Sequence, residues 1–441
     1  MPTKTSAKKM HPTKKTKRRG EPWVLLMLLV TVFQALSFAP VLLRAQTPEP
    51  GLLLALLCYP PAEWLFLVLL RAAARPRTLS PEILGLWLSG IGLCVCGSFS
   101  ALFAWKQAAA IGGGMVVYAV VRWLIADTDR AVKVRPAVAA AAVGLLAVNL
   151  VLGVTINGQR NWMNLGGFSI QPSELVKIAF VFVGAATLER LQRTPSITRY
   201  LLFAMGCVGA LFLMKDFGAA LIFFATYLLI CFLRSGDLRA IGLVSAGAGM
   251  CAALVLLFKS SVAARFRVYR HIWEHIHDTG YQQTRVLIYG ASGGLFGLGM
   301  GNGRLRGVFA ASTDLVFGVI CEEFGLLLAF LIPLCFVALA LYAFRQAQRA
   351  SSSFYTIANI AAAGLLLIQT SLHIFGITDL LPLTGVTLPF VSRGGTSMLC
   401  AWGLLALTGA AAAQPRQAAK TTPKKAKATR GLPANSAAIP Q

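Results

Sequence analysis

Residues 290–325 read GASGGLFGLGMGNGRLRGVFAASTDLVFGVICEEFG. Seven of the first fourteen, Gly290 to Gly303, are glycine, so the backbone there can turn sharply or approach a ligand closely. Asp314 then stands where an apolar helix is expected to begin, with Glu322 and Glu323 inside it. On one continuous helix Glu322 lies about 12 Å beyond Asp314 along the axis. Ionisable groups at membrane depth are costly and are functional candidates. Upstream come Arg265, Arg267, Arg270, Trp273 and the run Gly280-Tyr281-Gln282-Gln283. The whole of 259–323 is the one long polar interruption in an otherwise apolar chain.

Composition sets the class. Of 441 residues 56% are hydrophobic and 13% charged, against about 25% charged in a soluble domain. The nine cysteines are scattered in apolar runs without paired zinc spacing and read as small core residues. The net charge of +25 is concentrated at the ends. Residues 1–22 and 414–441 read as disordered basic cytoplasmic tails drawn to anionic membrane lipid. No aromatic or fold signal accompanies that charge, so a nucleic-acid partner is not expected. The run from Trp23 is too long for a signal peptide and continues into further spans.

Bilayer crossing takes roughly 17–25 apolar residues. About twelve runs qualify: 23–44, 51–72, 83–105, 108–126, 136–156, 174–191, 199–214, 217–233, 238–258, 315–344, 353–377 and 385–413. The expected fold is an all-α polytopic membrane domain over 23–413. The boundary near Trp105-Lys106 is weak, Pro60-Pro61 interrupts the second run, and Lys215-Asp216 suggests a bent or re-entrant hairpin. Arginines and lysines concentrate in the even-numbered turns, such as Arg71/Arg75/Arg77 and Arg130/Lys133/Arg135. Positive charge marks the cytoplasmic side, so both termini are expected inside and the loops at 157–173, 259–313 and 378–393 outside. The 259–313 loop breaks the pattern with seven Lys/Arg against Glu274 and Asp278. Two readings stand: a long loop tolerates the charge, or it holds an anionic phosphate or pyrophosphate ligand.

The other outward loops are more specific than connectors. The first carries Arg160, Asn161, Trp162 and then Gln171-Pro172-Ser173-Glu174, with Lys177 one turn further. Pro172, Ser173 and Glu174 suit a helix start. Lys177 needs a partner or a water-filled cavity. The second, from Leu381 to Ser397, is dense in Pro and Gly, which implies non-helical backbone buried in protein or lining a cavity. Phosphate-loop, nucleophile-elbow and metalloprotease motifs are absent.

Together these blocks resemble the SEDS family, the FtsW/RodA/SpoVE group of bacterial membrane proteins. The resemblance rests on Arg160-Asn-Trp162, Gln171-Pro-Ser-Glu174-Leu-Val-Lys177, Asp216-Phe-Gly218 and Gly280-Tyr-Gln282. It continues through Gly293-Gly294-Leu-Phe-Gly297, Thr313-Asp314, Glu322-Glu323-Phe-Gly325 and the segment Leu381–Ser397, and so covers a core at 150–413. It implies a ten-helix core plus an extra N-terminal pair. The sequence departs from the pattern at Phe309, Ala310, Ala311 and Ser312, where many members have Pro-Glu-x-His, and at Asn161, His373 and Arg393.

The resemblance implies a peptidoglycan glycosyltransferase that polymerises lipid II at the outer face of the bacterial cytoplasmic membrane, for division, elongation or sporulation. A class B penicillin-binding protein is the expected partner. Asp314 is the expected general base for the acceptor hydroxyl. Arg160, Lys177, Arg265, Arg267, Arg270, Gln282 and Arg393 are candidates for the substrate and its diphosphate. Trp162 either stacks on a sugar or belongs to an interfacial belt. Asp216, Glu174, Glu322, Glu323 and Ser392 are supporting residues; Glu322 and Glu323 either pair with Lys177 or hold their helix in place, and Asp216 either takes part or balances Lys215. No metal ligand set is expected, and whether a divalent cation assists is left open. A lipid II flippase and a non-catalytic scaffold for cell-wall partners are the alternatives; neither has an evident use for an acid at position 314.

Overall fold

The structure, a computed structural model, describes residues 22–44, 49–74, 76, 78–156, 159–166, 168–188, 195–239, 242, 245–246, 249, 266–350 and 352–409. The apolar runs condense into α1 (Trp23–Arg44), α2 (Pro50–Ala74), α3 (Ser80–Phe99), α4 (Ala101–Ile125) and α5 (Thr128–Leu152). After a polar loop come α6 (Pro172–Leu188), α7 (Pro195–Leu213) and α8 (Phe217–Ser235). The last third holds α9 (Tyr281–Ser292), α10 (Val316–Glu323), α11 (Leu326–Ala347), α12 (Ser353–Ile377) and α13 (Gly395–Thr408). Among the described residues eight helices, α1–α5, α8, α11 and α12, are long and apolar enough to cross a membrane. α6, α7 and α13 are shorter in length or apolar extent.

Several boundaries differ from the sequence reading, each for a local reason. The break expected near Trp105-Lys106 falls at Ser100, whose extended backbone and hydroxyl, accepting from Leu102 N–H at 3.2 Å, cap α4. Lys215 adopts φ 61 and Asp216 caps α8 through Ala219 N–H at 3.1 Å. The 199–233 region is therefore two helices, α7 and α8, joined by a sharp corner at Lys215-Asp216. Pro60 and Pro61 sit inside α2 without ending it. The run at 315–344 is not one span: Gly325, at φ +89, separates α10 from α11. A Cβ there would lie 2.4 Å from Gly297 N, so only glycine fits. The run at 385–413 begins with irregular, turn-rich backbone and becomes helical only at Gly395. The fold is not wholly helical either, because β1 (Val154–Ile156), β2 (Gln159–Leu165) and β3 (Phe168–Ile170) form a small antiparallel meander in the loop after α5. The two basic tails and most of the 238–258 run lie outside the described residues.

α13 is the central helix, packed by α3, α4, α6 and α12. Helices in lipid associate by close packing, which small residues permit. An ideal Cβ on Gly114 of α4 would lie 2.5 Å from the Trp402 ring, and one on Gly403 2.3 Å from Ile178. Trp402 is fully buried and meets Phe66, Tyr118 and Phe390 edge-on at centroid distances of 5.6, 6.0 and 5.8 Å. Such pairs each add about 0.5–1.5 kcal/mol beyond area burial. The cluster ties the 388–392 segment to the bundle, and Gly92 of α3 lets Val391 lie against it.

A Cβ at position 92 would meet the Val391 carbonyl oxygen at 2.6 Å, a backbone atom that cannot rotate away. Gly92→Ala is therefore expected to cost about 1–3 kcal/mol through overpacking. Thermal melting of the purified protein in detergent checks this; a melting temperature equal to that of the parent contradicts it.

Candidate active site

The site is built where the non-helical segment 381–394 crosses the turn ahead of α10. Asp314 does not ride on a helix. It sits half-buried in the turn 309–315, two residues before α10 begins. That turn is held by Ala310, at φ 63, whose carbonyl accepts from Thr313 and Leu315 N–H groups at 3.1 Å each. Segment 381–394 then clamps the turn from the side. Ser392 Oγ donates to Thr313 O at 2.7 Å, and Arg393 N–H donates to Ser312 O at 2.9 Å. The same Ser392 hydroxyl accepts from Leu388 N–H at 2.8 Å. Gly385, at φ +69, faces the carboxylate: an ideal Cβ there would lie 3.4 Å from Asp314 Oδ2.

A buried polar chain supports the clamp from within the bundle. Lys177 Nζ donates to Glu174 Oε1 at 2.7 Å and to Gln369 Oε1 at 2.9 Å. Gln369 Nε2 donates to Thr387 O at 2.9 Å. Thr387 Oγ1 lies 2.7 Å from Ser397 Oγ at the start of α13. Lys177 is 1% exposed, its charge is paired with Glu174, and its second hydrogen bond ties it to the clamp through Gln369. The pairing of Glu322 and Glu323 with Lys177, one of two expectations, does not occur. Both carboxylates turn to the glycine loop instead. Glu322 accepts from Arg304 N–H at 2.6 Å and Leu305 N–H at 2.9 Å; Glu323 accepts from Gly301 N–H at 2.9 Å and Gly303 N–H at 3.3 Å.

The remaining candidates spread around this centre. Asp216 is buried and receives Asn161 Nδ2 at 2.8 Å and Gln171 Nε2 at 3.3 Å, which joins the β2 strand to the α7–α8 corner. Arg160 donates to Gly153 O at 2.9 Å and Val151 O at 2.8 Å and so fastens the end of α5. Trp162 is half-buried and pairs across the sheet with Val154. Gln282 Nε2 donates to Phe309 O at 3.1 Å, which anchors the turn before Asp314. Arg267 and Arg270 are exposed, and Arg270 N–H donates to Asp379 Oδ1 at 3.1 Å. The Arg393 guanidinium stacks on Phe103 at 3.8 Å from the ring centroid. Arg265 lies outside the described residues.

Gln107 and Gln369 were not singled out from sequence, yet both serve the clamp: Gln107 Nε2 donates to Ser392 O at 3.3 Å, and its Oε1 accepts from Gly394 N–H at 3.4 Å. Their signal was present, since each is a polar amide inside an apolar run. It was simply weaker than a charge.

The fold and site define a polytopic helical membrane protein with an acid held in a clamp of irregular backbone. Residues 93–417 match the FTSW_RODA_SPOVE family model, described as cell cycle protein. The chain belongs to that family. Among similar proteins, the peptidoglycan glycosyltransferase RodA of Mycobacterium tuberculosis strain H37Rv is 29% identical over 332 residues, 70% of each chain. Stage V sporulation protein E of Bacillus subtilis is 32% identical over 276 residues, covering 59% of this chain and 75% of that one. The probable peptidoglycan glycosyltransferase FtsW of Coxiella burnetii is 33% identical over 274 residues, covering 58% and 71%. Among solved structures, one titled for the coordination of polymerization and crosslinking by a peptidoglycan synthase complex matches in fold with a TM-score of 0.63 at 24% identity, covering 76% of this chain and 97% of that one. The rod shape determining protein RodA of Thermus thermophilus matches with a TM-score of 0.56 at 24% identity, covering 76% and 96%.

Glu322→Gln replaces one acceptor oxygen with an amide NH2 that faces backbone N–H groups. Leaving a buried donor unmatched costs about 1–3 kcal/mol. Trypsin is therefore expected to cut after Arg304 and Arg306 faster than in the parent; equal cleavage rates contradict this role for Glu322.

Proposed function

We propose that this chain is a peptidoglycan glycosyltransferase that polymerises lipid II, with Asp314 as the general base. The observation that carries the reading is the Asp314 carboxylate, held half-buried against Gly385 by the Ser392–Thr313 and Arg393–Ser312 hydrogen bonds. A clamp of this kind holds a proton acceptor at a fixed position, which general-base catalysis requires. Asp314 takes the proton from the acceptor sugar's 4-hydroxyl as that oxygen bonds to the donor's anomeric carbon. The bond from that carbon to the diphosphate breaks, and polyprenyl diphosphate leaves. Its growing charge needs cations. Arg393, beside the clamp, is the first of these, with Arg267, Arg270 and Arg265 from the basic loop. Lys177, Glu174, Asp216, Glu322, Glu323 and Arg160 hold the frame, because their charges are engaged within the protein or on its backbone. Trp162 is left for a sugar face, and Gln282 holds the turn.

The protein is a multi-pass membrane protein. In this reading it sits in the bacterial cytoplasmic membrane as one domain, 23–413, with both termini and the basic tails inside and the clamp facing out. A class B penicillin-binding protein is its cross-linking partner; the similarity to a peptidoglycan synthase complex that coordinates polymerization with crosslinking supports this. Topology is checked by a membrane-impermeant thiol reagent on intact cells, with the native cysteines replaced. Asp278→Cys is expected to label directly and Asp237→Cys only after the membrane is opened; the reverse pattern inverts the site.

Asp314→Asn keeps the shape and removes the proton acceptor. Loss of a general base typically costs about 10²–10⁴ in rate. Glycan strands, read on a gel of labelled products from purified protein, are expected to fall to near background while lipid II binding and the melting temperature hold. Full polymerisation by a well-folded Asp314→Asn protein would falsify the assignment.

A further inference from the structure

Two arginines converge on one peptide of the glycine loop. Arg44, the last residue of α1, donates from Nη1 to Gly301 O and to Asn302 Oδ1, the latter at 3.1 Å. Arg306 donates from Nη1 to the same Gly301 O at 2.8 Å and from Nη2 to Ser98 O near the end of α3. From the opposite side Gly301 N–H donates to Glu323 Oε2 at 2.9 Å. Gly301 has φ +79, and a Cβ there would lie 2.7 Å from Arg44 Nη1. A bare glycine is what lets the guanidinium close on the backbone. α1 and α2 precede residue 93, where the family match begins. The contact therefore joins a part of the chain outside that match to a loop within it.

We infer that Arg44 is a positioning residue for the site, through which the N-terminal pair α1–α2 holds the glycine loop and, with it, α10 and Asp314. The path is continuous. Arg44 fixes Gly301, and Glu322 and Glu323 at the end of α10 bind the loop at Gly301, Gly303, Arg304 and Leu305. Leu305 is fully buried against α10, 2.8 Å from where a Cβ on Gly318 would stand. Asp314 lies two residues ahead of that helix. α1 also touches the far end of α10 directly, because Phe33 stacks on Phe324 at 6.3 Å between centroids. α1 is itself anchored, by Gln34 Nε2 donating to buried Glu63 of α2 at 2.9 Å and by Cys94 Sγ donating to Ser37 O at 3.2 Å. A guanidinium gripping two oxygens is more directional than a charge that merely marks a helix end at the membrane interface.

The inference rests on the polymerase reading for its kinetic consequence and on the contacts alone for its structural one, so the test reads both. Full-length Arg44→Gln and Arg44→Lys proteins are compared with the parent by amide exchange over 298–306 and by lipid II polymerisation rate against substrate concentration. Losing a hydrogen bond of typical net strength is worth roughly tenfold. Exchange over 298–306 is expected to speed up about that much in Arg44→Gln, with the 281–292 helix unchanged. kcat is expected to fall with KM unchanged, and Arg44→Lys to lie between, since an ammonium restores charge but not the fork. Parent-like exchange in Arg44→Gln overturns the inference, and so does faster exchange with an undiminished kcat. If the parent itself makes no strands, the polymerase reading falls first, and the positioning inference falls with it even where the exchange result establishes the contact.

Discussion

Backbone that leaves the helix at membrane depth must have its polar groups satisfied from within the protein, and the 381–394 segment imposes that demand on everything around it. Helices α4 and α12 contribute polar side chains that help to meet it. Gln107 of α4 binds Ser392 O and Gly394 N–H; Gln369 of α12 binds Thr387; His373, one turn along, has Nδ1 2.8 Å from Val386 O. Ser392 closes the segment on itself and on Thr313. An unmet backbone group among these would cost several kcal/mol in lipid, and these bonds hold the clamp in place.

The charged groups divide into three kinds. Lys177 and Glu174 form a buried pair, which desolvation makes a poor source of stability but which fixes geometry when its remaining valences are filled. Glu322 and Glu323 instead spend their oxygens on backbone N–H groups, as carboxylates do when they order a glycine-rich loop. A third set is peripheral: Arg267 and Arg270 are exposed, and the Arg393 guanidinium lies on the ring of Phe103.

The bundle was legible because twenty-residue apolar runs admit few alternatives in a membrane. The irregular 381–394 segment was legible in part: its Pro and Gly residues pointed to non-helical backbone, but the apolar run counted from 385 hid the helix start at Gly395. Asp314 could be found by its type and by its place just ahead of an apolar run, but the end of α10 at Gly325 could not, because that break depends on a tertiary contact with Gly297. Nor could the fate of Glu322 and Glu323: a run of apolar residues does not say which loop returns to its end. Arg44 was not singled out from sequence, because only the fold brings it to Gly301, 257 residues along the chain. The small sheet at 154–170 was hidden for a related reason, since three short strands have no periodicity long enough to register.

The most direct measurement is polymerisation of purified lipid II by the purified full-length protein, alone and with a class B penicillin-binding protein. The account predicts long glycan strands that a muramidase digests back to disaccharide units. Folded protein that binds lipid II and yet makes no strands under either condition would contradict it.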